Sequence, residues 1–192
     1  YRVQKDFEKY LIHTCKKALS MSKSKNLVLT GGCALNCVAN YKLLKALPDD
    51  INLYVDPTCD DSSVSIGGVY HTNQIPSFKL KNLYKGRPLQ HEYELEDGED
   101  EYEATPKDIT KIISKGNIVA IAQGRSEIGP RALGNRSILF DPRVKDGKDI
   151  VNRVKKREYF RPFAGTVLLE HARDWFDMDR LEESPFMMYA VD

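Results

Sequence analysis

Apolar residues near the start of the chain recur at helical spacing, and a short apolar run follows them. Over residues 3–20, five apolar side chains fall near one face of a helix while lysines fall elsewhere; these are Val3, Phe7, Tyr10, Leu11 and Ala18. The run at 26–30 then meets Gly31 and Gly32, and apolar residues at helical spacing continue to Pro48. The pattern predicts an amphipathic helix, a strand, a glycine turn and a second helix.

Period-two alternation replaces helical spacing at 51–55, where Ile51, Leu53 and Val55 alternate with polar positions. Pro57 ends this predicted strand, and the polar cluster at 60–63 can cap a helix that runs through the glycines at 67 and 68. Because strands and helices come in turn, we expect an α/β fold with a parallel sheet in this part of the chain.

The periodicity fades from about residue 73 to 104, and the stretch 92–103 is strongly acidic. These features predict a linker and domain entry at 76–104, between a first domain at 1–75 and a second at 105–192. Thr105 followed by Pro106 is typical of a helix start, and Gly116 ends that helix. Further strands are expected at 118–122, 137–140 and 166–169, with a helix around 150–154.

Composition narrows the class of protein. The 192 residues include 29 Lys and Arg against 28 Asp and Glu, so bulk charge gives no reason to expect nucleic-acid or membrane binding. No apolar run approaches the roughly 18 residues that span a membrane, and no signal peptide pattern is present. A cytoplasmic protein with free thiols is expected, cut from something longer because it opens on Tyr1.

Two neighbouring segments concentrate positive charge: GRSEIGPRALGNRSILFDPR at 124–143 and VKKREYFRPF at 154–163. Arginine presents a rigid fork of donors that matches phosphate oxygens, and glycines let backbone N–H groups approach the same anion. The segments therefore predict a pocket for a polyphosphate or an acyl phosphate. Its candidate cations are Arg125, Arg131, Arg136, Arg143, Lys155, Lys156, Arg157 and Arg161.

Two other interpretations of these cations stay open. They can form surface ion pairs with Glu127, Asp141 and Glu158, as charge runs usually do. They can also face RNA, with the aromatic residues of 159–163 as stacking platforms. The chain contains neither a P-loop nor the glycine pattern of dinucleotide-binding folds.

The turn at Gly31 and Gly32 and the pair Asp60 and Asp61 each allow a functional and a structural interpretation. N–H groups at the start of the following helix can bind a phosphate, ribose or adenine, or the glycines can permit close helix–strand packing. Asn36 can contact a base or sugar or tie down a loop. The aspartates can cap a helix or ligate a hard metal ion.

Together these segments resemble the carbamoyltransferase family typified by NodU and CmcH, over nearly the whole chain. The resemblance is carried by GGCALN at 31–36, by Asp61 followed by Gly67, by the long match at 124–143, and by KKREYFRPF at 155–163. The core GPRALGNRS at 129–137 is its most specific part.

The resemblance implies an enzyme of two domains and two stages. Residues 1–75 would be the C-terminal part of an actin/Hsp70-like acyl-transfer domain, and 105–192 a truncated YrdC-like domain. The second would form carbamoyl-adenylate from carbamoyl phosphate and ATP, with Mg²⁺. The first, with Fe²⁺ or another divalent metal in the complete enzyme, would pass the carbamoyl group to a hydroxyl of a sugar or natural-product acceptor. An RNA-binding, tRNA-modification module of YrdC-like type is the alternative.

The resemblance also implies roles for individual residues. Catalytic roles fall on Arg131, Arg136 and Lys156, and a metal-ligand role on Asp61. Residues matching the adenylate and anion-binding positions are Gly31, Gly32, Asn36, Arg125, Ser137, Arg157 and Arg161. The family's HxxxH motif has no match, so the chain alone is not expected to complete the transfer. The acceptor cannot be predicted, and a homo-oligomer is compatible with the sequence.

Overall fold

The structure, a computed structural model, describes residues 1–75, 82–89, 96–100 and 102–192, so part of the linker predicted at 76–104 lies outside the described residues. Helices and strands are mixed, as expected for an α/β fold. The elements are α1 (Arg2–Met21), β1 (Asn26–Leu29), α2 (Cys37–Ala46), β2 (Asn52–Val55), α3 (Val64–Thr72), α4 (Pro106–Ser114), β3 (Val119–Ala122), β4 (Arg136–Leu139), α5 (Gly147–Val154) and α6 (Ala172–Trp175), with 3-10 helices at Gly32–Leu35, Asp61–Ser63 and Leu169–His171.

The described residues form two compact units, and neither is continuous in sequence. The first unit takes the described residues of Tyr1–Lys81 together with Ile128–Arg131 and Val167–Asp192. The second takes those of Asn82–Glu127 together with Ala132–Thr166. Residues 105–192 were predicted to form a second domain. In the structure, two segments of this range, Ile128–Arg131 and Val167–Asp192, belong to the first unit.

The first unit is built on a strand–helix–strand crossover. Strands β1 and β2 pair in parallel, with Asn26 opposite Asn52 and Leu29 opposite Val55. Helix α2 connects them, as a parallel pair requires. The predicted strand, glycine turn, helix and strand are confirmed.

The buried face of α1 differs from the predicted one. Val3 and Tyr10 are 82% and 72% exposed, whereas Glu8 and Cys15 are buried. Glu8 can be buried because Lys42 of α2 donates to its carboxylate at 2.7 Å and Gln4 donates to it at 3.0 Å. Leu11 of the predicted face does pack on the core, but the buried face of α1 also includes a carboxylate, which the apolar spacing did not predict.

Two apolar clusters form the core of the first unit. One joins α1 and α2 to the strands through Cys15, Leu43 and Leu47. The other joins the strands to the end of the chain and is built from Ala34, Val55, Cys59 and Met188. The C-terminal segment, residues 176–192, is thus part of this core rather than a tail.

Polar contacts fasten the C-terminal segment to α2. Arg180 donates from Nη2 to the carbonyl of Leu44 at 2.7 Å and from Nη1 to that of Leu47 at 3.2 Å. Lys45 forms an ion pair with Asp177 at 2.9 Å. Because the last carbonyls of a helix lack partners within it, Arg180 satisfies groups that the end of α2 leaves open.

The second unit contains α4, α5 and an antiparallel pair. Helix α4 begins with a capping box between Thr105 and Asp108, which confirms the predicted helix start. Strands β3 and β4 pair with Val119 opposite Leu139 and Ala122 opposite Arg136. These strands match the ones predicted at 118–122 and 137–140 to within one residue at each end.

The strand predicted at 166–169 is wrong. The stretch 164–168 has no regular structure, and Leu169–His171 is a 3-10 helix. Leu168 and Leu169 are 64% and 59% exposed. An isolated apolar run becomes a strand only if a partner pairs with it, and none of the described strands does so. Across the described ranges, the helices all fall short of the length and apolarity needed to cross a bilayer.

Candidate functional site

The predicted residues of the first unit collect at one edge of the parallel pair. β1 ends at Leu29 and leads into the glycine turn, while β2 ends at Val55 and leads into the loop that carries Asp61. The carboxyl ends of parallel strands lie at the same edge, which is where open α/β sheets bind ligands. This edge is the candidate site of the first unit.

The glycine turn is open rather than closely packed. Gly31 has φ +81°, a conformation that favours glycine. A Cβ added at Gly31 or Gly32 would meet no described atom within 4 Å. Close helix–strand packing therefore does not explain this glycine pair, and the turn leaves room for a ligand to approach its backbone.

Asn36 has a structural role in the described contacts. Its Oδ1 accepts a hydrogen bond from the backbone N–H of Ala39 at 3.1 Å, which caps α2. Its Nδ2 donates to Gln4 Oε1 at 2.9 Å, and Gln4 Nε2 donates back to Asn36 Oδ1 at 3.2 Å. Both ends of the amide are engaged, so Asn36 holds the turn in place and ties it to α1.

Asn40 of α2 is a buried side chain that also holds the glycine turn in place. It is fully buried, and its Nδ2 donates to the carbonyl of Ala34 at 2.7 Å and to that of Met188 at 2.9 Å. Asn40 was not among the predicted site residues. An asparagine among the apolar positions of a predicted buried helix face is the signal that could have found it.

The GPR motif lies against both loops at this edge. Gly129 has φ +85°, and a Cβ there would stand 3.2 Å from the carbonyl oxygen of Pro57. Arg131 donates from Nη2 to the carbonyl of Leu35, next to the glycine turn, at 3.0 Å. The structure therefore brings Arg131 to the glycine turn, although 96 residues separate Arg131 from Leu35.

Arg131 also carries a donor without an acceptor. Its Nε is buried and has no hydrogen-bond partner among the described residues. Leaving a buried donor unpaired costs about 1–3 kcal/mol, more for a charged group, so such groups are usually satisfied in the functional state.

Asp61 is exposed at the start of a 3-10 helix in the loop that follows β2. Within the described ranges, no group of three or more His, Cys, Asp or Glu side chains is placed to hold a metal ion. A divalent metal needs several such ligands. The described residues therefore do not make up a metal site, and Asp61 stays a single candidate ligand.

Three cations of the second unit are paired with the carboxylates considered in the sequence analysis. Arg136 pairs with Glu127 at 3.0 Å, Arg143 with Asp141 at 2.6 Å, and Arg161 with Glu158 at 2.8 Å. All three cations therefore form the ion pairs that were predicted. Only Arg161 and Glu158 form a surface pair with both partners half-exposed, because the carboxylates of Glu127 and Asp141 are buried. Among the described residues no carboxylate pairs with Arg125, Lys155, Lys156 or Arg157.

Glu127 organises the loop that follows β3. Its carboxylate is fully enclosed and accepts hydrogen bonds from the backbone N–H of Leu133 at 2.5 Å and of Asn135 at 2.9 Å. Gly134 N donates to Ser137 Oγ at 2.9 Å. Three successive N–H groups therefore bond to the protein itself, so the predicted anion-binding role of this loop's backbone is not available in this conformation, and Ser137 supports the loop.

Burial alone would raise the pKa of the Glu127 carboxyl. The hydrogen bonds from Leu133, Asn135 and Arg136 outweigh that effect and hold its pKa below the ordinary value. Glu127 is therefore a buried carboxylate at neutral pH, stabilised by the loop that it shapes.

Arg157 is held on three sides within the second motif. Its Nε donates to Asn152 Oδ1 at 2.5 Å, its Nη2 donates to Pro162 O at 3.2 Å, and its guanidinium stacks 4.3 Å from the centroid of Phe163. Burial, followed by the charge of Arg161, lowers the pKa of Arg157. Arg157 stacks on Phe163 but leaves it 42% exposed, while Tyr159 and Phe160 are 75% and 67% exposed and contact each other edge to face.

Asn152 is a second residue that the sequence analysis missed. It is 2% exposed, and its Nδ2 donates to the carbonyls of Tyr159 and Arg161 at 3.3 and 3.1 Å. One buried amide thereby shapes the loop that carries the basic motif. Its position on the predicted helix just before that motif was the available signal.

The remaining predicted residues lie on the surface of the second unit. Lys156 is exposed with φ +49°, a conformation that costs a residue other than glycine about 1–3 kcal/mol and is enriched at functional sites. Arg125 is exposed and donates weakly to the carbonyl of Lys85 at 3.4 Å. Each unit thus offers cationic groups held by backbone carbonyls or buried polar side chains.

A cavity of about 190 Å³ lies beside β2 in the first unit. Its lining is mainly apolar and includes Leu53, Val55, Phe186 and Met188. Among the described residues that line it, none is a predicted site residue.

Two family profiles match the chain. The profile described as carbamoyltransferase N-terminus matches residues 2–69, and the one described as carbamoyltransferase C-terminus matches residues 110–192. The second match spans parts of both structural units.

Several curated proteins are similar over most of the chain. The nodulation protein NolNO of Sinorhizobium fredii is 36% identical over 98% of this chain and 30% of its own length. The nodulation protein NolO of Bradyrhizobium diazoefficiens is 36% identical over 98% of this chain and 37% of its own length. The 3′-hydroxymethylcephem-O-carbamoyltransferase of Streptomyces clavuligerus is 33% identical over 85% of this chain and 32% of its own length. The chain spans about a third of the length of these relatives.

Proposed function

Because this chain belongs to the carbamoyltransferase family, we propose that it is part of an ATP-dependent O-carbamoyltransferase. In the first stage, carbamoyl phosphate, ATP and one water give carbamoyl-adenylate, phosphate and pyrophosphate. In the second, a hydroxyl of a sugar or natural-product acceptor attacks the carbamoyl carbon and AMP leaves. One relative's name specifies an O-carbamoyltransferase that acts on a hydroxymethyl group, which supports a hydroxyl acceptor.

The observation that carries this proposal is the placement of Arg131. Its guanidinium contacts the carbonyl of Leu35 at the open glycine turn, and its buried Nε has no acceptor among the described residues. The adenylate is an anion, and a charged donor beside an open backbone turn is suited to bind it. Gly31 and Gly32 leave space at the turn for the ligand's approach.

The second unit would bind the anions consumed in adenylation. Several positive groups are needed to hold an anionic acyl phosphate beside an anionic triphosphate. Such groups stabilise the transition state most when their positions are fixed before the reaction begins. Arg157 has such a position between Asn152 and Phe163, and Arg136 has one beside Glu127. Lys156 and Arg125 are accessible cations of the same unit.

The proposal includes the domain assignment implied by the resemblance. The first unit would correspond to the actin/Hsp70-like acyl-transfer domain and the second to the YrdC-like domain. Mg²⁺ would accompany ATP, held mostly by phosphates and water. The divalent metal of the transfer stage would need ligands beyond Asp61, so no step is assigned to a metal here.

The test is carbamoyl-phosphate-dependent exchange of pyrophosphate into ATP by the whole protein that carries residues 1–192. Replacing Arg131 with alanine is expected to weaken binding of AMP, the nucleotide part of the adenylate, by about tenfold or more, the loss typical of a charged hydrogen bond, while the exchange proposed for the second unit is retained. Arg173→Ala is the matched control, because Arg173 also donates to backbone carbonyls of the first unit, those of Asp179 and Leu181. Unchanged AMP affinity in Arg131→Ala would overturn the assignment of this residue.

RNA binding is a second candidate function, favoured by the exposure of Tyr159 and Phe160 within a basic segment. Base stacking on such residues is tolerant of sequence, and backbone contacts make it salt-dependent. Single-stranded RNA binding that falls steeply with salt, together with absent exchange activity, would favour this alternative. Loss of RNA binding in Tyr159→Ala and in Phe160→Ala would place the RNA-binding surface at these two side chains.

A further inference from the structure

We propose that Glu127 is a positioning residue that fixes Arg136 as an anion-binding group of the second unit. The inference rests on the proposed function, in which Arg136 contacts carbamoyl phosphate or the phosphates of ATP. No part of the resemblance assigned a role to Glu127.

The two oxygens of Glu127 have separate tasks. Oε1 accepts from the backbone N–H groups of Leu133 and Asn135 and so holds the loop. Oε2 accepts from Arg136 Nε at 3.0 Å. One carboxylate thus links the shape of the loop to the direction of an arginine side chain.

Arg136 is fixed at both ends of its side chain. Its backbone begins β4 and pairs with Ala122 of β3. Its Nε is held by Glu127, whose side chain is fully buried, while 46% of the Arg136 side chain stays exposed. An arginine has several rotatable bonds, so holding one edge of the guanidinium lowers the entropy lost when a ligand binds the accessible part.

Burial makes this arrangement specific to a carboxylate. A buried charge is costly unless donors surround it, and Glu127 has three. A neutral side chain of the same shape could keep the two backbone bonds but not the charged one. This difference allows the two tasks of Glu127 to be separated experimentally.

The decisive variant is Glu127→Gln. The amide oxygen can still accept from Leu133 and Asn135, but the amide nitrogen then faces Arg136 Nε, donor against donor. The loop is therefore expected to keep its protection in hydrogen exchange, while KM for the anionic substrate bound by Arg136 rises about tenfold. Asp141→Asn is the matched control, because Asp141 is also a buried carboxylate paired with an arginine of the second unit, and that arginine, Arg143, is not among the anion-binding groups of the proposed function.

Combining variants tests whether Glu127 acts through Arg136. In an Arg136→Ala background, adding Glu127→Gln is expected to change KM less than about twofold, because the two residues act as one unit. Arg136→Lys keeps the charge but loses the fixed fork, and should resemble Glu127→Gln. Unchanged KM in Glu127→Gln, or full additivity with Arg136→Ala, would overturn the inference.

A second readout does not depend on activity. In an NMR spectrum of arginine Nε–H groups, the Arg136 signal is expected to be protected from solvent exchange and to shift when pyrophosphate is added. Glu127→Gln should abolish the protection and weaken the shift. If the protein does not exchange pyrophosphate into ATP while the Arg136 signal behaves as described, the proposed function fails and the positioning role stands. An unprotected Arg136 signal in the unaltered protein would overturn the positioning role itself.

Discussion

The carbonyl oxygen of Met188 accepts a hydrogen bond from Asn40 Nδ2 at 2.9 Å, across 148 residues of sequence. The same nitrogen donates to Ala34 O at 2.7 Å, in the 3-10 helix that follows Gly31. A single buried amide therefore joins helix α2, the glycine turn and the C-terminal segment. The geometry of the turn depends on residues near the end of the chain.

Asn40→Ala is expected to destabilise the first unit. Two buried carbonyls would lose their shared donor, at a cost of about 2–4 kcal/mol in free energy of unfolding. Urea unfolding followed by the fluorescence of Trp175, the single tryptophan of the chain, reports on this unit. The control is Asn52→Ala, because the amide of Asn52 pairs with Asn26 at the exposed surface. Equal small losses in both variants would contradict the expected role of Asn40.

Arg180→Ala is expected to loosen the C-terminal end of α2. Arg180 donates to the carbonyls of Leu44 and Leu47, and a charged donor at this end of a helix also interacts favourably with the helix dipole. A loss of about 2 kcal/mol is expected, measured by urea unfolding. Asp49→Ala should leave stability nearly unchanged, because Asp49 is fully exposed in its ion pair with Arg180. A larger effect for Asp49 than for Arg180 would be inconsistent with this account.

Alanine replacements at two glycines should have opposite effects, one on stability and the other on nucleotide binding. A Cβ at Gly86 would lie 2.8 Å from the backbone oxygen of Ser126, so Gly86→Ala is expected to destabilise the second unit by about 1–3 kcal/mol. A Cβ at Gly32 meets no described atom within 4 Å, so Gly32→Ala should leave stability nearly unchanged and weaken binding of AMP, the nucleotide part of the adenylate. Thermal unfolding and AMP titration of each variant check this. Normal AMP affinity in Gly32→Ala would remove the turn from the proposed site.

The stability of the second unit should depend on the ionisation of Asp141. Hydrogen bonds from the Arg143 side chain and backbone N–H lower the pKa of this carboxyl from 3.8 to about 2. Since the folded pKa is the lower one, the stabilisation is present above pH 3.8 and is lost as the pH falls through 2. Carboxyl NMR titration of Asp141 in Arg143→Gln should show a pKa that rises toward the ordinary value but stays below it, because the backbone N–H of residue 143 still donates to the carboxylate.

Acid unfolding gives the matching thermodynamic result. The difference in unfolding free energy between Arg143→Gln and the unaltered protein should be largest above pH 3.8 and should be lost as the pH falls through and below 2, because the unfolded and folded pKa values of Asp141 are 3.8 and about 2. The control is Arg161→Gln, whose partner Glu158 is half-exposed, so its effect should be smaller. A difference that stays constant down to pH 2 would argue against the linkage.

Local signals predicted most elements correctly. The capping pattern at Thr105 placed the start of α4, and Gly31 and Gly32 marked the turn between β1 and α2. These features depend on a few neighbouring residues, since backbone conformation and capping are short-range effects. The strand predicted at 166–169 was wrong because a strand also needs a distant partner.

The side-chain contacts of the candidate site could not be read from sequence. The contact of Arg131 with Leu35 joins segments far apart in the chain, and so does the burial of Glu8 against Lys42. Charge counts predicted a cluster of arginines, but they could not separate the arginine at the glycine turn from Arg136, which is held by Glu127. Burial decides that distinction, and burial is a property of the whole fold.

The order of residues in the first unit has a consequence for biosynthesis. Its parallel strands and first two helices are synthesised before the second unit, whereas Met188, which completes their core, is synthesised after it. The segment between them holds the residues of the second unit, which can fold while synthesis continues. Nascent chains that stop short of the C-terminal segment should therefore expose the apolar faces of Val55 and Cys59, which makes them targets for chaperones and proteases.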